Sequence, residues 1–296
     1  MRFRITHQTD YTYESSVSVG HYAAHLAPRR LPSQECPWHE IIVSPKPAER
    51  AVRVDSFGNS VTYFEVTGLH HKLSVVSRSL VEIRPLDPLP PLSTPPWETV
   101  REWAAGDQFD ATSTAQEFVF ASPLIQPGAE FAAYAAPSFP PQRTVLDGVC
   151  DLNHRIFTDF AFDPAATDVA TQVDKAFRQR RGVCQDFAQV MIACLRSVGL
   201  PARYVSGYLE TLPPPGKEKL IGADASHAWA SVWCGAAAGW VDVDPTNDLL
   251  PSSRHITVAW GRDFSDISPL RGVMQGAGEQ TLHVSVDVQQ EIEACA

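Results

Sequence analysis

Arg180-Arg181-Gly182-Val183-Cys184-Gln185-Asp186-Phe187-Ala188 leads into a run whose apolar residues, Phe187, Val190, Met191, Cys194, Leu195 and Val198, recur at three- and four-residue intervals. That is the period of one buried helix face, and Gly199 and Pro201 end it. Cys184 therefore falls in the first turn of a helix, ahead of the apolar stripe. Free backbone N–H groups and the positive end of the helix dipole favour a thiolate there, and Arg180 and Arg181 add positive charge nearby. The same N–H groups are placed to receive an oxyanion developing on a carbonyl. Cys150, Cys194, Cys234 and Cys295 read instead as small apolar residues, Cys194 lying on the stripe itself.

Downstream, His227-Ala228-Trp229-Ala230-Ser231-Val232-Trp233 and Trp240-Val241-Asp242-Val243-Asp244 read as two strands joined by a turn from Cys234 to Gly239, with Pro245 ending the second. The first residue of one strand and the last of its partner meet at the open end of a hairpin, which brings His227 to Asp244 by topology alone. A carboxylate in that place orients an imidazole and stabilises its cation. Asp242 shares the parity of Asp244 and stays open as the acid. Gln172 and Gln179 are available amides for an oxyanion site, but as helix-surface residues they read as solvated.

Working outward, Phe3, Ile5, His7, Thr9, Tyr11 and Tyr13 alternate as in a half-buried strand. Val52 and Val54 run through Asp55-Ser56-Phe57-Gly58-Asn59 into Val61 and Tyr63, a hairpin signature, and further β-rich runs cover Leu73 to Val76 and Leu80 to Ile83. Residues 1–84 thus predict a β-sandwich-like module of short strands. Six prolines between Pro85 and Pro96 predict an extended linker over 85–96. Residues 97–296 then read as an α+β domain: helices around Trp97 to Trp103, Thr114 to Phe120, Val145 to Ile156 and Val169 to Phe177 precede strands at Ala202 to Leu209, His227 to Trp233 and Trp240 to Asp244. A closing alternation follows at Leu282, Val284, Val286 and Val288.

Composition narrows the function classes. Twenty-four Lys and Arg against 34 Asp and Glu leave a formal charge of −10, which argues against nucleic-acid or anionic-membrane partners. Lack of a long apolar run predicts no membrane-spanning helix. The opening Met1-Arg2-Phe3-Arg4-Ile5-Thr6-His7 lacks a signal-peptide core, and the six scattered cysteines form no C-x-x-C pair, so the expectation is a reduced, cytoplasmic protein. His21 with His25 and His70 with His71 lack a third ligand at metal-like spacing, so neither metal nor cofactor is expected.

These motifs resemble those of the transglutaminase-like superfamily of papain-like thiol enzymes, in its bacterial transglutaminase-like cysteine protease branch. Gly182-Val183-Cys184-Gln185-Asp186-Phe187-Ala188 is similar to the nucleophile motif, Ser226-His227-Ala228-Trp229 to the histidine motif, and Gly239-Trp240-Val241-Asp242-Val243-Asp244-Pro245-Thr246-Asn247 to the aspartate motif. Residues 1–84 resemble the β-rich domain that precedes this core in bacteria. Arg262-Asp263-Phe264-Ser265-Asp266 and Pro269-Leu270-Arg271-Gly272 look like the branch's carboxy-terminal segment. The resemblance implies a catalytic domain over 97–296 holding a Cys184, His227 and Asp244 triad, a thioester intermediate, and a peptide, protein or small amide as substrate.

Animal members place a tryptophan upstream of the nucleophile, and this chain has none between Trp103 and Trp229, so hydrolysis is expected ahead of crosslinking. Tyr204 or Tyr208 could line an acceptor channel in its place. The alternatives are a protein-glutamine transglutaminase and, from another class, a non-catalytic peptide-binding module. Under native conditions Cys184 should be the thiol most rapidly alkylated by iodoacetamide, as read by limited labelling and peptide mapping. Labelling of another cysteine with Cys184 untouched would defeat the assignment.

Overall fold

The structure, a computed structural model, describes residues 1–84, 94–106, 113–167, 171–211, 226–251, 253–276 and 278–291. Most of the expected proline-rich linker, as well as Val169 and Cys295, lies outside the described residues.

Two long strands organise the amino-terminal domain. Along β1 (Arg2–Ala24), Phe3, Ile5, His7, Thr9 and Tyr13 are buried at every second or fourth position, as the alternation predicts. After β2 (Gln34–Ser44) and β3 (Glu49–Val54), β4 (Ser60–Ile83) runs antiparallel to β1. Leu73 to Val76 and Leu80 to Ile83, expected as separate runs, are parts of this one strand, because nothing between them breaks an extended chain. The register of β1 against β4 shifts between Thr12 and Val19, opposite Gly68 with its positive φ of 91°. The strands bend there. The Tyr13 and Tyr22 hydroxyls lie 3.3 Å apart although nine residues of straight strand span roughly 30 Å. β2 pairs with one half of β4 and β3 with the other, and the folded-over halves share a core of Tyr13, Val17, Tyr22, Ile41, Phe64, Val66, Leu73 and Val75. This makes the module sandwich-like.

The second domain starts with α1 (Trp97–Ala105), α2 (Ala129–Ala135) and α3 (Val145–Asp159); the stretch expected as helix near Thr114 is a 3₁₀ turn over Ser113–Val119. Thr144 caps α3 by accepting the Asp147 N–H at 3.3 Å. A short parallel pair, β5 (Ala161–Phe162) with β6 (Arg181–Gly182), brackets α4 (Val173–Gln179) and leads into α5 (Cys184–Ser197). Four strands follow: β7 (Ala202–Leu209), β8 (Ser226–Trp233), β9 (Trp240–Val243) and β10 (His255–Gly261). They form an antiparallel sheet in the order β10-β7-β8-β9. Phe187, Ala188, Val190 and Met191 of α5 share a core with Ala202, Tyr204, Ala228, Ala230 and Val232 of the sheet. The helix carrying Cys184 and the strand carrying His227 are thus locked together by the main hydrophobic core, where each buried aliphatic side chain contributes about 1.5–3 kcal/mol.

The chain then returns to the first sheet. β11 (Leu270–Gln275) and β12 (Gln280–Glu291) pair antiparallel with β1, so residues expected within the 97–296 domain complete the amino-terminal sheet. Alternation at Leu282 to Val288 announces a strand and leaves its partner open, since pairing is decided by which edge is free in three dimensions.

Side-chain amides join the two domains. Gln34 donates to the Thr257 carbonyl at 2.8 Å and accepts the Thr257 N–H at 2.9 Å; Asn59 does the same with Trp260 at 2.8 and 3.0 Å. Each amide imitates a strand residue and satisfies backbone groups on the edge of β10. The Asp55-to-Asn59 turn serves this contact: Asp55 accepts the Phe57 and Asn59 N–H groups and the Asn59 amide. Asp263 and Arg196 are buried structural groups as well, Asp263 accepting the Leu124 N–H at 2.8 Å and Arg196 donating to the Ala202 and Arg262 carbonyls.

Gly207, in the middle of β7, has a steric role. A Cβ there would overlap the Ile256 carbonyl oxygen and come within 2.6 Å of the Trp229 ring. Gly207→Ala should lower unfolding stability by about 1–3 kcal/mol, read by denaturant titration.

Candidate functional site

Cys184 is the first residue of α5 and is half-buried. Its position is set by Asp186, buried two residues on, whose Oδ2 accepts the Val183 N–H at 2.8 Å and the Thr167 hydroxyl at 2.6 Å. This carboxylate caps the helix from inside. Gly182 is required for the turn, since a Cβ would collide with the same carboxylate. Arg180 and Arg181, expected to lend charge to Cys184, have other partners. The Arg180 guanidinium lies 4.3–4.7 Å from the ring centres of Phe177, Tyr134 and Phe160, and Arg181 is 3.9 Å from Asp163. The adjacent sequence positions diverge because Arg180 adopts the left-handed conformation, with φ 52°, at the end of α4. Burial pushes up the thiols of Cys36, Cys150, Cys194 and Cys234, the last to about 12.

His227 opens the buried part of β8. Its Nε2 lies 2.7 Å from Oδ2 of Asp244, the residue directly after β9; with Ala230 opposite Val243, Asp244 stands level with Trp229, so the contact is diagonal rather than directly across the hairpin. Asp242 is engaged elsewhere: its Oδ2 accepts the Trp229 indole N–H at 2.9 Å. The two aspartates thus diverge in partner, Asp244 meeting the imidazole and Asp242 supporting the tryptophan two residues along.

Two further residues meet Asp244 that the sequence reading does not single out. His255, at the start of β10, places Nε2 3.0 Å from the same Oδ2, and Asn247 donates its amide to it at 2.8 Å. Oδ1 accepts the backbone N–H groups of Thr246 and Asn247 at 3.0 and 3.3 Å. Asn247 stands inside the aspartate motif and was visible in sequence; His255 is separated from it in the sheet order by β7 and β8 and had no local signal. Burial works against ionisation of Asp244, but the donors from His227, His255 and Asn247 prevail and hold the carboxyl far below its ordinary range. For His227 burial opposes the cation, yet hydrogen bonds to Asp244 and Cys184, and the charges of both, push its pKa up to about 10. An ionised carboxylate only accepts, so Nε2 of each histidine carries the proton toward Asp244. Nδ1 is the His227 nitrogen left to face Cys184.

Two imidazoles and a carboxylate whose ligand atoms lie within 4.8 Å of one another form a donor set that zinc uses. The 2.7 and 3.0 Å separations from Oδ2 are shorter than the ~3.3 Å between donors on a tetrahedral zinc with bonds of about 2.0–2.1 Å. They are ordinary N–H···O hydrogen-bond lengths.

Of the two tyrosines named as channel candidates, Tyr204 is buried, its hydroxyl pushed well above the usual range by burial first and by the charge of Cys184 next. Tyr208 instead meets His7 Nδ1 at 3.0 Å across the domain junction. Gln172 and Gln179 are exposed, as the sequence predicts. No helix of the described residues is long and apolar enough to cross a membrane.

The family model described as the transglutaminase-like superfamily matches residues 133–245, and that of the bacterial transglutaminase-like N-terminal region matches residues 3–82. An uncharacterised protein of Mycobacterium tuberculosis is 42% identical over 294 residues, covering 97% of this chain and 92% of its own. This chain belongs to the transglutaminase-like superfamily. Within a transglutaminase-like protein the motif positions Cys184, His227 and Asp244 are those the structure brings together. A solved Cytophaga hutchinsonii structure, provisionally described as a cysteine protease, shares the fold over 99% of this chain and 92% of its own, with TM-score 0.73 and 21% identity. A protein-glutamine gamma-glutamyltransferase of Pseudomonas aeruginosa is 36% identical over 112 residues, 38% of this transglutaminase-like chain and 16% of that protein.

The raised His227 has a measurable consequence for stability. With an unfolded value near 6.5, the folded-state preference for the imidazolium contributes fully below about pH 6.5 and fades as pH rises through about 10. The melting-temperature advantage over a His227→Gln variant should therefore narrow across that window, as read by calorimetry.

Proposed function

We propose that this protein is a thiol-dependent acyl-transfer enzyme, foremost a peptidase or amidase, in which Cys184 is the nucleophile, His227 the proton carrier and Asp244 the orienting acid. The observation that carries the reading is the placement of His227: its Nε2 lies 2.7 Å from a buried carboxylate, while Cys184, hydrogen-bonded to the ring, joins Asp244 in raising its pKa. A thiolate beside an imidazolium is competent for amide chemistry without any further base.

In the forward half, the Cys184 sulfur attacks the amide carbon, and the oxyanion faces the N–H groups that open α5. Collapse breaks the C–N bond as His227 hands the Nδ1 proton to the departing amine, leaving a thioester and a neutral imidazole. Water then gives a proton to Nδ1 while its oxygen attacks the thioester carbon, releasing the acid and restoring the thiolate–imidazolium pair. Asp244 stays ionised throughout, and its place is to hold the ring and balance its charge.

Resolution by an amine would make the same intermediate serve transamidation, a reading favoured by the similarity to the Pseudomonas aeruginosa glutamyltransferase. Hydrolysis comes first because the upstream tryptophan of animal members has no counterpart between Trp103 and Trp229.

The test is a panel of peptide and glutamine-amide substrates with a surplus of a primary amine, read by product mass. The free acid should dominate; a dominant mass gain equal to the amine would replace hydrolysis by transamidation. Cys184→Ala should abolish turnover and Asp244→Asn reduce it by about 10³–10⁴. Asp242→Asn, which keeps an acceptor for the Trp229 indole, should be mild, and the reverse ranking would transfer the acid's role to Asp242.

A further inference from the structure

The mechanism just described uses one histidine, yet two point the same ring nitrogen at one carboxylate oxygen. His255 Nε2 and His227 Nε2 lie 3.0 and 2.7 Å from Asp244 Oδ2, with ring centres 5.9 Å apart. Both are buried, and the Trp229 indole stands edge-on to His255 at 5.2 Å. Asp244 does not depend on His255 for its orientation, since Oδ1 is held by two backbone N–H groups and Oδ2 also by Asn247. What His255 adds is one more N–H donor that draws charge density from the oxygen His227 uses. Its own place is secured from the other domain, because two residues along β10 Thr257 is clamped by Gln34.

We propose that His255 is a positioning residue for this reaction: its Nε2–H on Asp244 Oδ2 sets how much of the carboxylate's charge reaches His227. The inference rests on the Cys184–His227–Asp244 reading. Loss of the donor leaves more charge for His227 and strengthens its hold on the proton. Restoring an N–H with an amide side chain reverses the effect.

The experiment follows iodoacetamide alkylation of Cys184 against pH by mass spectrometry, in the full-length protein and in His255→Leu, His255→Gln and His227→Gln. The upper inflection of the rate profile marks proton loss from His227 and should fall near pH 10 in the unsubstituted protein. In His255→Leu it should move upward by on the order of one pH unit, and in His255→Gln it should return toward the original position. A His255→Leu profile that superimposes on that of the unsubstituted protein, or a His255→Gln profile displaced as far as that of His255→Leu, overturns the proposal. If His227→Gln leaves the profile unchanged, the Cys184–His227 reading fails, and this inference with it. If His227→Gln changes the profile and His255→Leu does not, only the role of His255 fails. Should His255→Leu not fold, ¹⁵N-histidine NMR of the unsubstituted protein decides: His255 must be the Nε2–H tautomer, and an Nδ1–H assignment overturns the proposal.

Discussion

A carboxylate with no exposed surface must find its donors inside the protein, and Asp244 draws them from three separate pieces of chain. His227 comes from β8, His255 from β10, and Thr246 and Asn247 from the turn after β9. An unsatisfied buried charge costs several kcal/mol, so the arrangement of β8, β9 and β10 is constrained to keep those donors in place. The neighbouring demands follow. Trp229 must lie where its indole meets Asp242, and Gly207 must lack a side chain for that ring to cross β7.

The same constraint gives the amino-terminal domain a part in the site without supplying a reacting group. β10 is an edge strand, and the amides of Gln34 and Asn59 satisfy the backbone groups that a further strand would otherwise pair. Since His255 begins β10, the clamps extend the support of Asp244 into the sandwich-like module. The turn Asp55-Ser56-Phe57-Gly58-Asn59 is best understood this way: its carboxylate orients an amide, and that amide holds an edge strand. The return of β11 and β12 to the first sheet ties the two domains a second time through the chain itself.

Charge near Cys184 is arranged differently from what its flanking residues imply. Arg180 is enclosed by aromatic rings and Arg181 faces Asp163, so the group placed to carry positive charge toward Cys184 is His227, brought from more than forty residues away in sequence and held by Asp244. A cation delivered this way also carries a transferable proton, which a guanidinium does not. In the proposed reaction charge stabilisation and proton transfer are therefore coupled in one ring, and the departure of the amine follows from that coupling.

Local pattern was enough for much of this. The apolar period after Cys184, the alternation in β1, and the turn between His227 and Asp244 each depend on neighbours within a dozen or so residues, and helix, strand and hairpin geometry translate such spacing directly into position. The sequence by itself therefore determined that Cys184 opens a helix, that His227 and Asp244 meet across a hairpin, and that β-rich residues precede an α+β core. Only the tertiary structure decided the rest: that Asp244 rather than Asp242 meets the imidazole, that His255 shares its carboxylate oxygen, that Arg180 turns into an aromatic cage, and that β11 and β12 complete a sheet begun at Arg2. Strand parity is the same for residues two apart, and partners across strands are chosen by which edges and buried charges remain to be satisfied once the core has formed.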